Sequence, residues 1–552
     1  MKRLIDIESG RIVEDTQNES YLALSYVWGT DTAQYKLKKQ DLPSSRNAGF
    51  LSSLGSKLPQ TILDALQVCQ QIDVKYLWVD ALCIVQDDDK ERDEQISLMD
   101  QIYGNALAVL VVAAGDDANH GIPGMGTSTR DLASYEETVN GQKLMTSLSS
   151  TTQMARRSKW NTRAWTFQEC MLAKRLLVFT NSYVFMRCST ALFREDVPTL
   201  PARGDDRWMW SGFNDLSPDL DANKVYEDQY KSKVASYLRR RMRYDSDAIV
   251  AFSGILKVLS KWIGPSHFGL PKAFFGRSLL WNSPTRATLK RRTGFPSWSW
   301  AGWEWDFGTA EQTDEGPYGS LRDDDSVPYQ IFTFSSGGKL EPFFMEEQVV
   351  ETPAATEQAK RDADVASLMS FITLGYEEAE AQLMREIANM QKKKTEDPIA
   401  KKKIEDEARA QLMTQFQPPD DHLLLAHTDM LSSCKSAGHL IAFYTSVATL
   451  TVSPSPARSV ESGLAHPYDV QGKNGTSLFS CHLDLAWRAK QLDTMTFAVI
   501  GFKPGRKRVG LMLLEKVDGI FYRVNWAWKT SQQLDIEVWM NQDPVQQLIV
   551  LG

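Results

Sequence analysis

Between Tyr21 and Ala114, short unbroken apolar runs take turns with stretches whose apolar residues recur every three or four positions. Tyr21-Leu22-Ala23-Leu24-Ser25-Tyr26-Val27-Trp28 is one such run, closed by Gly29 and followed by polar Thr30-Asp31. It reads as a buried strand ending in a loop. Leu58, Ile62, Ala65, Leu66, Cys69 and Ile72 then fall at helical spacing, with Pro59 suited to a first turn, where a missing N–H costs nothing. Tyr76–Asp80 predicts a second strand, Asp88–Tyr103 a second helix with Ile96, Met99 and Ile102 inward, and Ala106–Ala114 a third strand. Strands alternating with helices require a parallel sheet covered on both faces, an α/β fold.

Downstream the pattern changes several times. His120–Thr152 is rich in Gly, Ser and Thr and reads as a long loop, and its glycines Gly121, Gly124 and Gly126 do not form a dinucleotide fingerprint. Trp160–Met171 predicts a helix, and Arg175–Thr180 with Tyr183–Cys188 a closing hairpin. In residues 225–305, Trp298, Trp300, Trp303 and Trp305 nearly alternate, so several indoles are expected on one face of a strand, anchoring an interface rather than stacking a ligand. Asp306–Val327 reads as a surface loop. Of the 34 residues Tyr376–Arg409, 17 are charged, and Leu383, Ile387, Met390, Ile404, Ala408 and Leu412 keep helical spacing on either side of Pro398, which predicts a solvated helical hairpin. Strand-like runs return at His422–Ala426, Leu440–Val452, Thr494–Phe502, Val509–Glu515, Phe521–Trp528 and Gln547–Leu551, a mostly antiparallel β module. The expected organisation is an N-terminal domain at 1–190, an accessory helical and Trp-rich region at 191–327, a charged helical insertion at 346–417, and a β-rich module made of 328–345 with 418–552.

Composition narrows the chemistry. A net charge of -8 argues against a nucleic-acid partner, which clustered Lys and Arg would serve. The one dense basic run, Arg239-Arg240-Arg241-Met242-Arg243, is followed by Asp245 and Asp247 and reads as a solvated, locally paired face. Cys69, Cys83, Cys170, Cys188, Cys434 and Cys481 are scattered without a CxxC pair, so neither a metal site nor a disulfide framework is expected. They fit reduced thiols of a cytoplasmic protein. No apolar run reaches the roughly 18 residues of a membrane span, and the first residues lack the apolar core of a signal peptide.

In open parallel sheets ligands bind beyond the carboxyl ends of the strands, where strand order reverses. Those ends carry Ser25-Tyr26-Val27-Trp28-Gly29, Asp80–Asp87 and Gly115-Asp116-Asp117. A crevice lined by Tyr26, Trp28, Asp80, Cys83, Gln86 and Asp87 would offer aromatic faces for a planar ring and carboxylates for hydroxyls. For Asp80 and Asp87, capping a helix or turn is the structural alternative. In Trp160-Asn161-Thr162-Arg163-Ala164-Trp165-Thr166-Phe167-Gln168-Glu169, Trp165 and Glu169 are one helical turn apart. A carboxylate held against an indole loses water and gains proton affinity, which suits an acid, a base or a charge stabiliser. The structural alternative puts Trp165 in the core and pairs Glu169 with Arg163 or Arg175 at the surface.

Three blocks, Tyr21–Gly29, Leu77–Asp87 and Arg163–Glu169, resemble in order the signature blocks of the fungal heterokaryon-incompatibility (HET) domain, and the resemblance extends over roughly residues 1–190. Asp247–Ile255 and Phe295–Trp303 look like the region that commonly follows that domain. The chain departs from the pattern at Ala164, where Gly is usual, and at Val85, where a polar residue is common. The resemblance implies fungal self/non-self recognition ending in programmed cell death. HET domains are held to be remotely similar to Toll/interleukin-1 receptor (TIR) domains, which implies a TIR-like, flavodoxin-like parallel sheet. Some TIR domains cleave NAD with a Glu four residues after a Trp, a spacing that Trp165 and Glu169 match. On that analogy Glu169 is the catalytic group, Trp165, Trp28 or Tyr26 stacks a ring, Arg163 meets a phosphate, and NAD is a substrate with no further cofactor required. The rival reading is a non-catalytic module that acts by self-assembly or by binding an incompatibility partner protein.

Overall fold

The computed structural model describes residues 2–14, 19–29, 34–126, 128–130, 136–139, 142–145, 151–188, 191–195, 197–201, 222–281, 288–306, 331–334, 340–342, 440–454, 466–483, 493–503, 508–517, 519–527 and 534–552. The charged arm Tyr376–Arg409, the strand expected at His422–Ala426 and the loop expected at Asp306–Val327 lie outside them, apart from Asp306 itself. The described residues form a mixed α/β protein in two compact units: Met1–Gly269 with Arg292–Gly294, and Leu270–Arg291 with Phe295–Gly552.

In the first unit the strands are β1 (Arg3–Asp6), β2 (Arg11–Glu14), β3 (Tyr21–Ser25), β4 (Tyr76–Trp78), β5 (Ala108–Val112), β6 (Arg175–Phe179), β7 (Val184–Cys188), β8 (Ala191–Arg194) and β9 (Val197–Pro201). They make one sheet in the order β9-β8-β7-β6-β5-β3-β4-β1-β2. Its centre, β4-β3-β5-β6, is parallel, with Tyr21 opposite Tyr76, Ser25 opposite Val111 and Val109 opposite Leu176. The three strands expected to run parallel do so, and both edges add antiparallel pairs, among them the closing hairpin expected at Arg175–Cys188. The cause is the short turns into β2 and out of β6, since only a long crossover can return a chain parallel. All five residues of β3 are buried, as they must be when both faces of a strand are covered. From β3 the chain goes to β4 on one side and then to β5 on the other, so the strand order reverses at the end of β3, beside Ser25.

The helices are α1 (Gln60–Gln71), α2 (Asp80–Cys83), α3 (Asp89–Ser97), α4 (Met99–Asn105), α5 (Trp165–Met171), α6 (Ala222–Leu238), α7 (Asp247–Val250) and α8 (Ser253–Ile263). Two expected elements are split. Asp88–Tyr103 breaks at Leu98, after Asp88 caps its start by accepting from the Glu91 N–H at 3.2 Å. Trp160–Met171 becomes a short 3-10 turn, Trp160–Thr162, and then α5. Within the expected loop His120–Thr152, Glu136–Val139 and Gln142–Met145 pair as a small antiparallel hairpin.

The second unit carries a mostly antiparallel sheet around β10 (Ile441–Pro454), β11 (Thr494–Lys503), β12 (Arg508–Val517), β13 (Ile520–Ala527) and β14 (Val545–Leu551), with Phe332–Phe334 paired to β10. A single parallel bridge, Phe521 opposite Leu551, joins β13 to β14. The expected tryptophan strand is shorter than the alternation suggested. Trp303 and Trp305 share one face of Trp303–Asp306, whereas Trp298 precedes a 3-10 turn that contains Trp300. All four are buried. The segment is tied together by the Trp281 Nε1–H donating to the Trp298 carbonyl at 2.8 Å and the Trp303 Nε1–H to the Ser297 carbonyl at 2.8 Å, and it reaches the end of β14 where the Ser297 N–H donates to the Gly552 carbonyl at 2.8 Å.

Candidate functional site

Ser25 ends β3 at the reversal of strand order, and its hydroxyl is fully engaged. It accepts from the Trp160 indole N–H at 2.7 Å and donates to Glu169 Oε2 at 2.5 Å. Glu169 stands in α5, whose apolar Phe167, Cys170 and Met171 are buried with it, so packing carries the carboxylate inward. Only 6% of the residue remains exposed. Burial pushes its carboxyl up to about 7, and the neighbouring Asp80 charge adds to that, while Arg163, the Ser25 hydroxyl and Arg240 hold it down.

Asp80 opens α2 directly after β4. Its Oδ1 accepts from the Ala81 N–H at 2.7 Å and its Oδ2 from the Trp28 indole N–H at 2.8 Å. The first bond is the capping role available to any Asp at such a turn; the second ties two strand ends together. Burial of the carboxyl raises it to about 6, against the pull of Arg163, Ala81, Trp28 and Lys36. Lys36 Nζ lies 4.6 Å from the centre of the Trp28 ring.

Tyr26 and Arg163 each interact with both carboxyls. The Tyr26 hydroxyl is buried beside Asp80 without a well-formed hydrogen bond, and burial and both carboxylates drive its ionisation well above the ordinary range. Arg163 donates from Nη1 to the Tyr26 carbonyl oxygen. Tyr26, Trp28, Asp80, Arg163 and Glu169 therefore converge as the strand ends suggested, with two acids of raised proton affinity sharing one guanidinium. The structural alternative for Glu169 does not apply, because the residue is buried on Ser25 and not paired at the surface.

The remaining residues have other roles. Cys83 is fully buried, its sulfur accepting from the Val79 N–H at 3.4 Å, and burial pushes its thiol up to about 12. Gln86 donates to the Asp80 and Ile84 carbonyls of its own loop at 3.1 and 3.2 Å. Asp87 is exposed and accepts from the Lys39 N–H at 2.8 Å, so it serves the turn that was its alternative. Gly29 has φ +80, and a Cβ there would lie 2.5 Å from Asp117 Cβ, so the strand end can pass the 115–117 loop only as glycine. Trp165 is half-buried and its indole N–H donates to Asp247 Oδ2 at 3.0 Å, which fixes the ring's edge.

Two residues escape the sequence pattern. Trp160 carries no mark of its role there, yet its N–H orients Ser25. Arg240 belongs to the basic run that reads as a solvated face. The structure corrects this: burial lowers its guanidinium to about 10, while Asp245 accepts from Arg292 and Asp247 from Trp165. A signal existed, since buried Tyr230, Lys233, Val234 and Tyr237 run at helical spacing and the next step of that stripe is Arg240.

Residues 21–169 match the family model described as Heterokaryon incompatibility protein (HET), a span that begins with β3 and ends on Glu169. Heterokaryon incompatibility protein 6, OR allele, of Neurospora crassa is 36% identical over 104 residues, which cover 18% of this chain and 15% of that protein. No solved structure gives a significant match. Among the described residues no helix is long and apolar enough to cross a membrane.

Proposed function

The chain carries a heterokaryon incompatibility (HET) domain at residues 21–169, and from that premise we propose that it acts in fungal self/non-self recognition leading to cell death, through a TIR-like domain that cleaves NAD or a related nucleotide. The observation that carries the reading is the buried Glu169 carboxyl, raised to about 7 at the reversal of strand order with Asp80, Tyr26 and Arg163 around it. Breaking the bond between ribose and nicotinamide leaves positive charge on the ribose while the pyridinium departs as a neutral base. No proton has to be delivered to the leaving group. One carboxylate at the ribose is then the main requirement, and water completes the reaction with release of a proton. Glu169 supplies that charge, Asp80 and the Tyr26 hydroxyl meet ribose hydroxyls, Trp28 offers a ring face, and Arg163 meets a phosphate. The ionised carboxylate is the active form, so kcat/KM rises with pH through about 7, where Glu169 of the free protein ionises.

The near-complete enclosure of Glu169 favours a second reading, in which the same residues hold a fold that signals by assembly with itself or with a partner protein. Incubation of the purified chain with NAD, followed by product analysis, separates the two. Wild type should yield nicotinamide and ADP-ribose, and Glu169→Gln should lose this by orders of magnitude while staying folded. Cell toxicity retained by both proteins without NAD loss in either would remove the enzymatic reading.

A further inference from the structure

We propose that Arg240 is the positioning residue of this site: its guanidinium sets the start of α5 and so the places of Arg163 and Glu169. The inference rests on the nucleotide-cleaving reading above. Arg240 lies outside the 21–169 match, yet among the described residues the acceptors of its side chain stand in the two turns before Glu169. Nη1 donates to the Arg163 carbonyl at 3.1 Å and to Thr166 Oγ1 at 3.0 Å, and Nη2 donates to Asn161 Oδ1 at 2.6 Å. Its Cζ lies 4.8 Å from the centre of the Phe167 ring. The next residue braces the same turn with its backbone, the Arg241 N–H donating to the Thr162 carbonyl at 2.6 Å and the Ala164 N–H donating to the Arg241 carbonyl at 2.9 Å. Arg163 is thus held on both flanks, with its own side chain on the Tyr26 carbonyl.

A neutral side chain could cap this turn. The chain instead encloses a cation that makes no ion pair within the turn and that acts on Glu169 through space. Enclosing a charge that has no ion-pair partner among the described residues costs stability, which a merely structural contact would not require. The fork geometry is also specific, because a planar guanidinium reaches three acceptors at fixed angles and an ammonium does not.

The test uses the full chain as wild type, Arg240→Lys, Arg240→Ala and their Glu169→Gln combinations. In NAD cleavage, Arg240→Lys should keep the fold and KM but lose about tenfold or more in kcat, since the charge remains while the alignment is lost. Millimolar guanidinium should restore part of the rate to Arg240→Ala and none to Arg240→Lys. Wild-type kcat in Arg240→Lys would overturn the proposal. A second readout needs no turnover: the pH at which Glu169 titrates, taken as the difference between each background and its Glu169→Gln partner. The groups facing Glu169 are Ser25, Tyr26, Asp80, Tyr103, Arg163, Cys170 and Arg240; burial keeps the two phenols and the thiol neutral through this range, so loss of Arg240 alone should move that pH upward by about half a unit or more. An unmoved titration overturns the proposal whether or not wild type cleaves NAD. A shifted titration with no cleavage by wild type removes the substrate reading and leaves the positioning role standing.

Discussion

Glu169→Gln should change how stability depends on pH, in a direction set by the buried carboxyl. In the unfolded chain the group ionises near 4.5, and in the fold it ionises near 7. Between those values the folded chain holds the proton that the unfolded chain has lost, so stability falls as pH rises through this window and is level above it. A displacement of that size corresponds to ~3 kcal/mol. Asp80, raised from 3.8 to about 6, adds a decline of the same sign, and the two acids titrate as a pair. Glutamine keeps an oxygen for the Ser25 hydroxyl and removes both the buried charge and its repulsion on Asp80. Wild type and variant should therefore match near pH 4.5. At pH 8 the variant should be the more stable by the full ~3 kcal/mol, since the Ser25 hydrogen bond to the carboxylate is already contained in that displacement. Because two compact units can open separately, the measurement is hydrogen exchange of peptides spanning Tyr21–Ser25 and Trp165–Met171, taken at pH 5 to 8 and corrected for intrinsic rates. Parallel profiles for the two proteins would refute the reasoning, since they would mean that Glu169 ionises in the fold as it does in water.

Ser25→Ala removes the donor to Glu169 and leaves the Trp160 N–H without its acceptor, so the fold should lose ~1–3 kcal/mol and the Glu169 titration should move further up, both readable by the same exchange series. Gly29→Ala forces a side chain into φ +80 against Asp117 and should cost at least ~1–2 kcal/mol, measured as a lower melting temperature of the first unit. In the second unit, Arg523 donates to the Leu279 and Trp281 carbonyls and lies 3.6 Å from the centre of the Trp281 ring. Arg523→Met should cost ~3 kcal/mol there, and exchange in the first unit should stay unchanged.

What the sequence determined by itself was set by short-range periodicity. Apolar runs bounded by turn residues located β3, β4 and β5 and most of the C-terminal strands, because burial of both faces of a strand, or of one, leaves a mark within a few residues. The same reasoning placed Tyr26, Trp28 and Asp80 together, since parallel strands bring their carboxyl ends to one edge. It also found Glu169 by its odd setting, a carboxylate among aromatics.

The tertiary structure decided what each polar group does. Ser25 and Glu169 are 144 residues apart, Trp28 and Asp80 are 52 apart, and Arg240 and Arg163 are 77 apart. No local pattern encodes such pairs. Whether a carboxyl is raised or ordinary, and whether an arginine is solvated or enclosed, depends on desolvation by segments distant in the chain. Asp87 and Asp80 show the difference: both follow β4 within nine residues, yet one caps an exposed turn and the other faces Tyr26. Arg240 shows it again, because its run of basic neighbours suggested water and only the packing of α6 against α5 closed it in.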